Sequence, residues 1–152
     1  MEAIFPLISS SVCGPLGISH LPRLWLKVLL HATGRLPEGY RHGTGGFDEM
    51  LLDALGIEPA AFIAYIEREL PNYLALEAWV KAHAKHLDAE TIHRHNRIVA
   101  TRDQKEELAA EKRTALGLNE PELRHAITLN DLDDWLGAHA QIVQQYSRSG
   151  AP

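Results

Sequence analysis

Cysteine is nearly absent from this chain of 152 residues: Cys13 stands alone. No internal disulfide can form, so the fold rests on packing, and a reducing, cytoplasmic compartment is the expectation. Long apolar runs are missing too. His20, Arg23 and Lys27 interrupt the best candidate well short of the roughly 18 residues a membrane-spanning helix requires, so no membrane partner is expected. Positive charge is in deficit, with 15 Lys and Arg against 20 Asp and Glu and a net charge of −5 with His neutral. Nucleic acid, which needs a basic face, is therefore not an expected partner. The three Trp, four Tyr and three Phe are scattered, which also argues against a stacking platform for single strands. Glu2 follows Met1, so the basic start of a secretory signal is lacking.

Period-two alternation and internal repeats are absent as well. What is present is helical periodicity, broken by Pro and Gly. The expected fold is all-α, a compact irregular bundle of about six or seven short helices. Residues 1–18 carry Pro6, Gly14, Pro15 and Gly17 and read as an irregular arm. Residues 19–146 read as one helical domain, and 147–152 as a frayed tail. The first helix is expected over Ser19–Gly34, with Ser19 as N-cap. Others are expected near 47–55, 59–70, 74–85 and 89–100. Asp103 is expected to cap a polar helix that Gly117 closes. The last helix is expected over Asn130–Gln145 behind a Thr128/Asp131 capping box, with Leu132, Trp135, Leu136, His139, Ile142 and Val143 as its apolar stripe.

The first helix holds the sharpest signal. At about 100° per residue, Leu21, Leu24, Trp25, Val28, Leu29 and Ala32 share one face, and Leu26 and Leu30 cover much of the other. Arg23, Lys27 and His31, spaced i, i+4, i+8, form a narrow cationic line. A helix apolar nearly all round is a buried one, and charge kept on it needs a partner or a route to water. Two readings follow. Arg23, by a bidentate fork, and Lys27, as a point charge, bind a small anion such as a carboxylate or phosphate. Alternatively they form internal ion pairs with Asp48, Glu49 or Asp53.

The loop 42–48, HGTGGFD, adds Gly45 and Gly46, which let backbone approach a ligand just before a helix N-terminus. No Gly-Lys-Ser/Thr follows, so it is not a Walker loop. Tyr40, His42, Asp48, His20 and His31 are the candidates for moving a proton. His83, His86, His93 and His95 are numerous, but their spacing matches no metal motif, and neither a metal nor another cofactor is expected. Cys13 lies in SVCGPLG with no local base to activate it.

The segments HLPRLWLKVLLHATGRLPEGY, GGFDEMLLDALGI and EAWV resemble a bacterial family of small proteins known as domain-of-unknown-function family number 5069. Its signature matches Leu21-Pro22-Arg23, Lys27, Gly34-Arg35-Leu36, Tyr40, Phe47-Asp48, Leu55-Gly56-Ile57 and Trp79-Val80. The resemblance is good over about residues 17–82 and looser beyond, where Asn96 and Trp135 correspond to family positions. The family has Asp before the Lys, whereas this chain has Leu26. The resemblance implies a fold and a site location, and no reaction.

Two functions are consistent with these residues. One is the binding of a small anionic metabolite at Arg23, Lys27, Gly45 and Gly46, with acid–base chemistry if a proton carrier is near. The other is a non-catalytic interaction module, a homodimer among its forms, in which the strip is a structural ion pair. The contact surface is then an apolar patch near Leu51–Leu55 or on the last helix.

Overall fold

The computed structural model describes residues 2–150; Met1 and the last two residues of the expected tail, Ala151 and Pro152, lie outside the described residues. Seven helices run among them: α1 (Leu21–Ala32), α2 (Gly46–Leu55), α3 (Pro59–Glu69), α4 (Tyr73–His83), α5 (Ala89–Thr101), α6 (Glu106–Leu116) and α7 (Ala126–Arg148). The protein is all-α. Extended pairing among the described residues amounts to two isolated bridges, Cys13 with Ser19 and Asp103 with His125. The punctuation explains most boundaries. Pro22 and Pro59 occupy first turns, where the missing N–H has no helical partner to lose. Gly56 and Gly117 close α2 and α6 in the left-handed conformation.

The chain divides into two compact units between Ala100 and Thr101. In the first, α1 is the central element and packs on α3 and α4. Leu21, Leu24 and Val28 of α1 meet Leu51 and Leu55 of α2, Phe62 and Ile66 of α3, and Leu76 and Val80 of α4. Each such side chain contributes about 1.5–3 kcal/mol by leaving water. In the second unit α6 packs on α7. Ala109, Ala126, Ile127 and Leu129 are buried there, and Arg113 donates to Glu106 and to the Leu123 carbonyl.

Three boundaries differ from expectation, each because tertiary contacts claimed the expected cap. Ser19 does not cap α1. Its N–H donates to Asn96 Oδ1 and its neighbour His20 takes the N-cap position with φ 75°. Asp103 does not cap α6; it pairs with His125, and α6 begins at Glu106. The Thr128/Asp131 box does not form. Ala126 N donates to the Arg102 carbonyl, which starts α7 four residues earlier than expected, and Thr128 Oγ1 pairs with His125 Nδ1. α7 also runs through Arg148, into the segment expected to fray.

Candidate functional site

Asp48 organises the first unit. It lies in the first turn of α2, whose N-cap is Gly45 (φ 70°), a conformation that favours glycine. The carboxylate points inward and is 2% exposed. Lys27 Nζ donates to Oδ1 at 2.6 Å and to Oδ2 at 2.7 Å; His20 Nε2 donates to Oδ1 at 2.7 Å; Gly43 N donates to Oδ2 at 2.9 Å. Every oxygen is thus doubly satisfied, the condition for tolerating a buried charge. Burial alone would raise the Asp48 pKa. The His20 hydrogen bond and the Lys27 charge overcome it and hold the carboxyl below its ordinary value of 3.8.

His20 and Ser10 extend the network. A carboxylate only accepts, so His20 Nε2 carries the proton toward Asp48. Nδ1 then accepts from Ser10 Oγ at 2.9 Å. Burial lowers the His20 pKa from 6.5 to about 4, with the attraction of Asp48 offsetting only part of the loss. The imidazole is neutral at pH 7. Hydroxyl, imidazole and carboxylate in this order match the connectivity of nucleophilic triads. Ser10 is 1% exposed, however, so its oxygen is closed to any substrate in this arrangement.

Arg23 reaches the N-terminal arm. Its Nη1 donates to the Pro6 and Ile8 carbonyls, both at 2.8 Å, and pins the N-terminal arm to α1. The arm is therefore packed onto the unit, with Pro6 and Ser10 buried and Leu7 and Val12 exposed. The glycine loop closes over the same helix. His42 stacks on His31 with ring centroids 3.6 Å apart, and its Nδ1 is buried with no hydrogen-bond partner. Burial and the nearby His31 lower the His42 pKa. Tyr40 packs edge-on against Phe5, and Gly45 N donates to Glu49 Oε2, while Gly46 begins α2. The structure thus brings Lys27, Asp48 and His20 together, sets His31 and His42 as a second pair, and leaves Tyr40 with the arm. A groove of about 460 Å³ lies elsewhere in this unit, past Asp53, Thr91 and Arg94; Arg23, Lys27 and Asp48 do not line it.

Sequence reasoning missed Ser10 and the Pro6 and Ile8 carbonyls, because an irregular segment has no period to mark which residues point inward. It named Asn96 only as a family position and His95 only among the histidines, and missed that both hold the start of α1 through the Ser19 N–H and carbonyl. The apolar stripe of the last helix faces solvent: Trp135, Leu136, His139, Ile142 and Val143 are all exposed, and Tyr146 continues the face. The opposite side of α7 is the buried one, through Ile127 and Asp134. The period marks the stripe, and only packing says which side of the helix a neighbour covers.

The arrangement defines a class before it defines a relative. It is an all-α protein of two compact units, one built around a buried, fully hydrogen-bonded polar network and the other displaying an apolar helix face. The chain belongs to the family described as a domain of unknown function (DUF5069), whose model matches residues 9–135. No curated protein shows significant similarity to the chain. The matched stretch contains Ser10, His20, Arg23, Lys27 and Asp48. It stops part-way along α7.

Proposed function

We propose that this chain is a protein-interaction module whose contact surface is the outer face of α7, and that the Lys27–Asp48 pair is a strut joining α1 to α2. The observation that carries the reading is the exposure of Trp135, Leu136, Ile142, Val143 and Tyr146 on one side of one helix. Soluble monomers rarely display contiguous apolar surface of this extent without a use for it. Trp and Tyr are also the side chains that most often anchor interfaces. The anion-binding reading needs Arg23 and Lys27 to face a hollow. Lys27 is engaged by both oxygens of Asp48, and Arg23 by two main-chain carbonyls, so the strut role has the stronger support. Most of the face lies beyond residue 135, where the family match ends, so the reading concerns this chain and not the family.

A photo-reactive residue at position 142 tests the reading in cell extract, with the same residue at exposed Lys81 of α4 as control. The expected result is an adduct of defined mass at 142 alone. Excess unlabelled wild-type protein should compete it away, and the Ile142→Asp form should not. Adducts equal at both positions, or none at either, refute the interaction role.

A further inference from the structure

The face on α7 has an internal order that goes beyond being apolar. Leu132, Trp135, Leu136, His139, Ile142, Val143 and Tyr146 follow the spacing i, i+3, i+4, i+7, i+10, i+11, i+14. At 100° per residue they fall within an arc of about 120°, the width of a stripe that packs against another helix. Seven-residue recurrence over two full repeats is the pattern of a helix seated along a second helix, side by side. A flat or globular partner surface would impose no such period.

Charge along the edges selects the partner and its direction. Asp131 and Asp133 flank the N-terminal end of the face, and Gln144, Gln145 and Ser147 flank the C-terminal end. His139 lies midway between Leu132 and Tyr146. Two copies of α7 laid parallel would place the aspartates of one beside those of the other. Laid antiparallel about His139, Asp131 falls on the edge that carries Gln145 of the other copy and Asp133 on the edge that carries its Gln144 and Ser147, so each carboxylate meets an amide or a hydroxyl. The same turn sets Leu132 against Tyr146, and the pair Trp135 and Leu136 against Ile142 and Val143. Large meets large along the whole seam, and the opposed helix dipoles attract.

The area is sufficient. With Trp135 59%, Ile142 63% and Tyr146 60% exposed, each copy offers roughly 500 Å² of apolar side chain, and a pair would remove roughly 1,000 Å² from water, the lower bound for a specific interface. On these grounds, and resting on the interaction reading above, we infer that the occupant of the α7 face is a second copy of this chain, paired antiparallel through α7 about His139. An interface at the lower bound exchanges readily, so monomer and dimer interconvert with concentration.

Sedimentation equilibrium of the full chain tests this, with circular dichroism as the check on folding. Wild-type protein should move from 16.9 kDa toward twice that mass as concentration rises into the tens of micromolar range. Ile142→Asp and His139→Glu should each remain at the monomer mass with unchanged helicity. Direction is read by oxidation of single-cysteine forms in a Cys13→Ser background. A mixture of Leu132→Cys and Tyr146→Cys should cross-link to each other and not to themselves. Self-links at 132 and at 146 would overturn the antiparallel arrangement. A wild-type monomer at every concentration overturns the second copy as partner. If position 142 still yields a competed adduct with a different polypeptide in extract, the interaction reading survives that failure. If it yields none, both fall.

Discussion

In residues 2–100 the charged groups Lys27 and Asp48 sit inside, 7% and 2% exposed, whereas in residues 101–150 the apolar side chains of Trp135 and Ile142 stand outside. Neither placement is the default. The buried pair persists because each oxygen of Asp48 has two donors and Lys27 Nζ reaches both oxygens. Its cost is met within the unit. The exposed face of α7 has no such compensation inside the second unit, and in the reading proposed above another polypeptide supplies it. On that reading inverted polarity means two things in one chain: a completed internal bond network, and a face that an outside partner completes.

The comparison can be broken by single substitutions, since a strut and a contact face respond in opposite ways. Lys27→Ala leaves Asp48 buried without its cation and should lower stability by about 3–5 kcal/mol in urea unfolding. A loss below about 1 kcal/mol would mean the pair is not the strut described. Acid should act next most strongly. His20 takes up a proton at about pH 4 in the fold and near 6.5 when unfolded. Between those values the unfolded chain binds more protons, so stability falls as pH drops from 6.5 to 4, by about 3 kcal/mol. Asp48, held below 3.8, adds stability above that value that is lost on further acidification. His42 and His95, also lowered by burial, pull in the same direction as His20. The His20 share is therefore the difference in slope between wild-type and His20→Asn, asparagine being tolerant of the left-handed φ. An unchanged slope would separate His20 from the acid response.

A smaller effect is expected where the loop meets the network. Gly43 has φ 119°, and an added Cβ would lie 2.8 Å from Ile63 Cδ1. Gly43→Ala should cost about 1–3 kcal/mol by shifting the N–H that reaches Asp48, and thermal unfolding would report it. The smallest effect belongs to the other unit. Ile142→Ser should change the stability of dilute protein by no more than about 0.5 kcal/mol. A loss as large as that of Lys27→Ala would show that the face is interior in solution and would remove the contrast between the units.

Much of the fold was legible. Pro22, Pro59, Gly56 and Gly117 mark helix ends by local sterics, and local sterics travel with the sequence. Lys27 stood out because a lysine on an apolar helix must resolve its charge somewhere, and Asp48 was among the three carboxylates named for it. Ser10, Asn96 and the Pro6 and Ile8 carbonyls were not legible. Their contacts span 10 to 77 residues along the chain, and no periodicity encodes them. The helix starts expected after Ser19, Asp103 and Thr128 shifted for a related reason, as contacts of Asn96, His125 and Arg102 with distant segments set where those helices begin.

Local chemistry alone makes this protein helical, places most of its helix ends, and puts Arg23 and Lys27 on the apolar first helix. These follow from interactions within a few residues, which the chain carries wherever it goes. Long-range packing settles that Lys27 ends on Asp48, that the arm carbonyls receive Arg23, and that the stripe on α7 faces outward. Those outcomes depend on which surfaces meet when distant segments compete for the same neighbour.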